Sequence, residues 1–181
     1  MDGSNSITLR KARVEDIQLL FRVCRKSYSE NFAGHWNEGG LELYLDKEYG
    51  LERIKSDLNN PDVNYFIAFF QDEAVGFMKL KLNSNLLNHS AATEMEIEKL
   101  YFQQQYQGRG LGKKLMALAL ELGREQKKQI IWLGVIDTNE RAIKFYQKFG
   151  FTFYDKITLD IPFFKEELKG MWRMIIKLSD G

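Results

Sequence analysis

The chain has 181 residues, 44% of them hydrophobic, which is enough to build one compact α/β domain over 1–181 around a real core. Lys and Arg number 26 against 25 Asp and Glu, and a net charge of +1 supplies no field to hold a nucleic acid or an acidic membrane. The lone cysteine, Cys24, rules out an internal disulfide or a cysteine-built zinc site; it suits a reducing cytoplasm and reads as a small core residue. His35 and His89 have no metal-ligand spacing, so no metal is expected. Met1 to Ser6 lack the basic and apolar blocks of a signal peptide, and no apolar run reaches the ~18 residues of a membrane span.

Taken in order, Ile7 to Ala12 reads as a strand, and Ile17, Leu20, Phe21, Cys24 and Tyr28 recur at helical spacing. Between Asn31 and Gly50 the pattern blurs into aromatic and acidic residues around Gly34, Gly39 and Gly40, which reads as irregular chain of the kind that lines a site. A helix is expected over Leu51 to Leu58. Asn64 to Phe70 and Ala74 to Leu82 form a hairpin, Asn83 to Ser90 a polar loop, and Ala92 to Phe102 a further strand. A glycine-punctuated turn then leads into a helix from Lys113 to about Lys127, with Leu115, Leu118, Ala119 and Leu122 on its inner face. Ile130 to Val135 is a buried strand. Asp137 to Asn139 offer caps for a helix that stops at Gly150, and Phe151 to Leu159 and Trp172 to Leu178 close a mixed sheet, with a short helical excursion within Pro162 to Gly170.

Two features carry chemistry. In Gln107-Gly108-Arg109-Gly110-Leu111-Gly112-Lys113, glycines let backbone amides approach an anion at the positive end of a helix, as a pyrophosphate requires, although a plain tight turn has the same look. A Rossmann fingerprint would place glycine at Lys113, and a P-loop would need Ser or Thr where Lys114 stands. In the strand before the turn, Met95 and Ile97 are apolar on one parity, Leu100 and Phe102 on the other. The phase slips near Glu98 and Lys99, as at a β-bulge, or as in a strand that merely changes its buried face. A bulge would splay the strand from its neighbour and free backbone groups for an amide-bearing ligand.

Leu100-Tyr101-Phe102, the glycine turn, and the complete run Asn139, Ala142, Phe145, Tyr146, Lys148, Gly150, Phe151 together resemble the signature of the GNAT superfamily of N-acetyltransferases. The resemblance implies a mixed central sheet of about seven strands with a splayed, bulged central strand and flanking helices. It implies acetyl-CoA as co-substrate, its pantetheine held along Leu100, Tyr101 and Phe102, and its pyrophosphate at Gln107, Gly108, Arg109, Gly110, Leu111, Gly112 and Lys113. Asn139 matches a residue that touches the CoA arm and is equally a helix cap. Lys148 is placed to reach phosphates, or simply to belong to a solvated basic face with Arg141 and Lys144.

Tyr146 matches the phenol that donates a proton to the CoA sulfur in the family, and a phenol of pKa ~10 is protonated at neutral pH. Glu94, Glu96 and Glu98 share one strand parity, and Glu98, nearest the bulge, is favoured over Glu96 as the base, beside solvated ion-pair roles for both. Nothing marks a covalent nucleophile, so direct attack is expected. The chain looks similar to the PaiA-type polyamine acetyltransferases in Ile97-Glu98-Lys99-Leu100-Tyr101 and in the Tyr28 to Tyr49 region. Tyr28, Phe32, Trp36 and Tyr44, interleaved with Glu30, Glu38, Glu42, Asp46 and Glu48, would suit a polycation, or would form an ordinary charged helix. Other small amines, amino acids, protein N-termini, or acyl-CoA sensing without turnover are the alternatives. Pairing of two copies is frequent in the family.

Overall fold

The computed structural model describes residues 6–86 and 91–178. In chain order it runs β1 (Ile7–Lys11), α1 (Ile17–Phe32), α2 (Gly40–Tyr49), α3 (Leu51–Leu58), β2 (Val63–Phe70), β3 (Glu73–Lys81), β4 (Glu94–Phe102), α4 (Leu111–Glu125), β5 (Ile130–Ile136), α5 (Glu140–Gln147), β6 (Thr152–Thr158) and β7 (Gly170–Lys177). The strands form one seven-stranded sheet in the order β1-β2-β3-β4-β5-β7-β6. Among the described residues only β4 and β5 pair in parallel; the α4 crossover between them makes that possible. The mixed seven-stranded sheet matches the expected architecture.

Period-2 alternation sorts the side chains to two faces, and β2 is buried on both. Its Phe66, Ala68 and Phe70 join Met78, Leu80, Met95 and Ile97 under Leu111, Leu115, Met116 and Ala119 of α4. Its Tyr65 and Ile67 join Phe77 on the opposite face under Leu20, Val23, Cys24, Leu45 and Ile54 of α1 to α3. Helix α4 lies close because Gly123 has no Cβ, which would stand 2.6 Å from Ile131 Cδ1. Cys24 is fully buried, as a small core residue should be.

The stretch read as irregular chain holds a helix, α2. Its pattern is blurred because Leu43 points outward at 58% exposure while Gly40, Leu45 and Tyr49 are the buried positions. The strand expected from Ala92 begins at Glu94, after a single 3-10 turn over Ala91–Thr93, and the excursion after Pro162 is a 3-10 turn at Glu166–Leu168. The end of the polar loop, 87–90 with His89, and most of the leading segment, 1–5, lie outside the described residues.

The α4 face supports the prediction that Leu115→Ala, a truncation at a fully buried position, costs about 2–5 kcal/mol in urea unfolding. Leu43→Ala, on the exposed side of α2, should stay within about 0.5 kcal/mol of the parent in the same assay.

Candidate active site

The register between β3 and β4 shows where the site begins. Lys79 stands opposite Lys99, but the next pair is Leu80 with Ile97, so Glu98 is an extra residue with no partner. Such a bulge turns two consecutive side chains toward one face, which explains the phase slip in the sequence. It also bends the strand: β4 pairs with β5 over Glu94–Ile97 against Ile130–Leu133, and no pairs follow. From Glu98 to Phe102 one edge of β4 therefore has no ladder partner, and a cleft of about 970 Å³ opens beside it.

At the end of β4 the chain makes a 3-10 turn, Gln104–Tyr106, and reaches α4 through Gly108 at φ 80° and Gly110 at φ 90°. Both angles are left-handed, where a side chain would be strained, and Gly110 is the residue that precedes the first turn of α4. Gly112 sits so close to α5 that a Cβ there would be 3.2 Å from Phe145 Cζ. The cleft is lined by Gln107, Gly108, Gly110, Leu111, Gly112 and Lys113 from this turn. Arg109 departs from the expected set: its guanidinium stacks over Phe70, 4.8 Å from the ring centroid, and over Tyr106, facing the β2–β3 hairpin instead of the cleft. Lys148 is exposed and does not line the cleft either, although Arg141, two turns earlier on α5, does.

A polar bridge crosses the opening that the sequence did not reveal. Asn31 of α1 donates from Nδ2 to the Phe102 carbonyl at 2.7 Å, and its Oδ1 accepts from Gln107 Nε2 at 2.7 Å. Gln107 Oε1 accepts in turn from Arg141 of α5 at 2.6 Å. Asn139 does cap α5, its Oδ1 accepting from the Ala142 amide at 3.2 Å, and it also lines the cleft. On α5, Tyr146 faces the cleft while packing on Phe145 and Phe151. Burial pushes its phenol up to about 12, so it carries its proton at neutral pH.

The strand carboxylates have different surroundings. Glu94 is buried and accepts from the Leu86 amide at 2.5 Å, and it is not part of the cleft lining. Glu96 lies beside Trp132, accepts from Ser84 Oγ at 3.0 Å and has Lys81 Nζ 3.4 Å away. Burial raises its carboxyl above the usual range, and Lys81 offsets only part of that effect. Burial acts on Glu98 in the same direction, but Lys99, Lys79 and Lys81 outweigh it and hold that carboxyl below the usual range. The less basic of the two is thus the one nearest the bulge. Lys99 is half-buried and donates to Tyr44 Oη at 3.1 Å.

Tyr28, Phe32 and Tyr44 line the cleft as an aromatic floor, with Tyr28 stacked on Phe32 at 4.8 Å and on Tyr44 at 4.7 Å. Trp36 lies one layer deeper, against Tyr44 and Phe164, and does not line the cleft. Three acids of the same region are engaged outside the cleft. Glu42 and Asp46, 69% and 73% exposed, pair with Arg25 on the outside, and Glu30 accepts from the Gln104 amide. The cleft also has an apolar lining of Ile136, Ile157, Leu159, Ile161 and Met171, built by β5, β6, β7 and the connection between the last two. Its residues are scattered in sequence, and no local pattern marks them.

Against known proteins, residues 21–151 match the model of the acetyltransferase (GNAT) family. The chain is 27% identical over 154 residues to the spermidine N(1)-acetyltransferase of Thermoplasma acidophilum, covering 83% of this chain and 91% of that one. It is 24% identical to the N-alpha-acetyltransferase of Saccharolobus solfataricus over 151 residues, 83% of each chain. Among solved structures, the PaiA N-acetyltransferase of Thermoplasma acidophilum in complex with coenzyme A superposes with a TM-score of 0.77 at 25% identity, over 96% of this chain and 99% of that one. The bulged β4, the glycine turn and the family match agree, and the chain belongs to the GNAT family of N-acetyltransferases.

Proposed function

We propose that the protein moves the acetyl group of acetyl-CoA directly to a primary amine, and that the acceptor is a polyamine such as spermidine or spermine. The observation that carries this reading is the meeting, at one cleft, of an unpaired β4 edge, a glycine-framed helix N-terminus, two strand carboxylates and the Tyr146 phenol. The residues suit the donor. The amides of Leu100 and Phe102, which alternate away from β3, are on the open edge and can bond an amide-bearing arm, and the turn at Gly108 to Lys113 presents N–H groups to a pyrophosphate. Acetyl-CoA supplies the activated thioester.

An alkylammonium of pKa ~10.4 must lose a proton before it can attack, at a cost of ~4 to 5 kcal/mol at neutral pH. Glu96 is the better proton acceptor, because burial has raised its affinity for a proton while Glu98 is held as an anion by lysines. Glu98 then serves to attract the ammonium. Tyr146, protonated and facing the cleft, delivers a proton to the departing sulfur. The aromatic floor of Tyr28, Phe32 and Tyr44 offers cation–π contact to a second ammonium. With Glu30, Glu42 and Asp46 engaged elsewhere, a polyamine would rely on Glu96, Glu98 and that floor. A peptide N-terminus is the second acceptor class, favoured by the apolar lining at Ile157, Leu159 and Ile161, and by the similarity to an N-alpha-acetyltransferase.

Thiol release from acetyl-CoA, followed over a panel of polyamines, amino acids and short peptides, should show saturable turnover with spermidine or spermine; turnover confined to peptides would move the acceptor to the second class. With the best acceptor, Tyr146→Phe should lower kcat about 10²-fold while leaving the acceptor KM within a few-fold. The acid limb of kcat/KM should lie above the ordinary glutamate range, since the raised Glu96 carboxyl must be ionised to work, and Glu96→Gln should abolish that limb. If Glu98→Gln abolishes it instead, the two roles are reversed.

A further inference from the structure

Lys79 occupies the middle of β3, between Met78 and Leu80, and its side chain is only 1% exposed. A buried ammonium is stable only when paired, and this one is paired on both sides. Its Nζ is 2.7 Å from Asp57 Oδ2 of α3 and 3.1 Å from Glu98 Oε2 at the bulge. Asp57 is held from behind, accepting from Tyr65 Oη at 2.9 Å and lying 3.3 Å from Arg53 Nε. A chain of charges therefore runs from α3 through the sheet to the extra residue of β4. Only its last member, Glu98, reaches the cleft.

This arrangement is more than a means of filling space, since Phe77 on the same strand face fills its share of the core without a charge. A bulge residue has no cross-strand partner to fix its side chain, so the fixing must come from elsewhere. We propose that Lys79 is a positioning residue for the transfer reaction: anchored by Asp57, it fixes the Glu98 carboxylate as the anion that receives the acceptor's ammonium and leaves Glu96 as the group that takes the proton. This rests on the amine-acetylation reading above.

The other groups facing Glu98 define what the loss of Lys79 would do. Lys81 of β3 is 3.4 Å away but 37% exposed, and Lys99 is 3.7 Å away, shared with Glu48 of α2 and with Tyr44. Glu96 of the same strand and Tyr65 of β2 also bear on the site, and Arg53 feels Glu98 from α3. Lys79 is the most buried of the three cations, so solvent screens it least. Its removal must raise the Glu98 carboxyl, whereas Arg in its place keeps the charge.

The test uses the full chain with ¹³C-labelled glutamate, the Glu98 carboxyl signal being assigned with Glu98→Gln, in the parent, Lys79→Met and Lys79→Arg proteins. In Lys79→Met the Glu98 titration should move to higher pH, kcat/KM should fall about tenfold or more with the acetyl-CoA Kd within about twofold, and the acid limb should move upward. Lys79→Arg should restore both the titration and the limb. A Glu98 titration that does not move, or equal losses in the Met and Arg variants without a shift of the limb, would overturn the proposal. Should Lys79→Met not fold, Lys79→Met/Asp57→Asn, which removes both buried charges, carries the same comparison. The titration needs no turnover, so a parent protein inactive on every amine would sink the acetyltransferase reading while the hold of Lys79 on Glu98 is still decided.

Discussion

One unpaired residue in the central strand governs the site. Because Glu98 has no partner on β3, β4 cannot stay parallel to β5 beyond Ile97, and the sheet parts there. Everything that lines the cleft is placed with respect to that parting. The open edge of β4 forms one side, the α4 N-terminus stands at the end of the strand, and α5 carries Tyr146 to the other side. The split itself has a backbone cost, since ladder hydrogen bonds are left unmade. A ligand that bonds to that edge would restore them, which links the strain of the fold to the affinity of the site.

Charge is distributed around the parting in an equally specific way. Glu96 and Glu98 lie within two residues of each other on one strand, yet burial shifts the first toward neutrality while three lysines keep the second ionised. Two carboxylates with separated proton affinities can take separate roles, one binding an ammonium and the other accepting its proton. The lysines are themselves held, Lys79 by Asp57 and Lys99 by Tyr44, so the electrostatics of the cleft are built into the packing of α2 and α3 against the sheet.

Features written in local sequence were legible in it. The seven strands, the glycine turn, the Asn139 cap and the left-handed Gly150 beyond the end of α5 at Gln147 follow from periodicity and from residues with particular backbone needs, and the phase slip at Glu98 and Lys99 marks the bulge. What escaped depends on contacts distant in sequence. The pattern of α2 is hidden because Leu43 faces solvent, and nothing local shows that Glu42 and Asp46 are bound by Arg25 of α1. The glycine turn gives no local sign that the Arg109 guanidinium stacks on Phe70 and Tyr106. Lys79 did leave a signal, a lysine inside the apolar run Phe77-Met78-Lys79-Leu80, but its partners Asp57 and Glu98 are brought to it only by the fold.

The proposed reaction requires that the free edge of β4 and the glycine turn receive the CoA arm. Amide hydrogen exchange measured with and without coenzyme A tests it most directly. New protection is expected at the amides of Leu100 and Phe102 and across 108–113, with little change across β1 and β2. Protection confined to other segments, or binding without any change along β4, would contradict it.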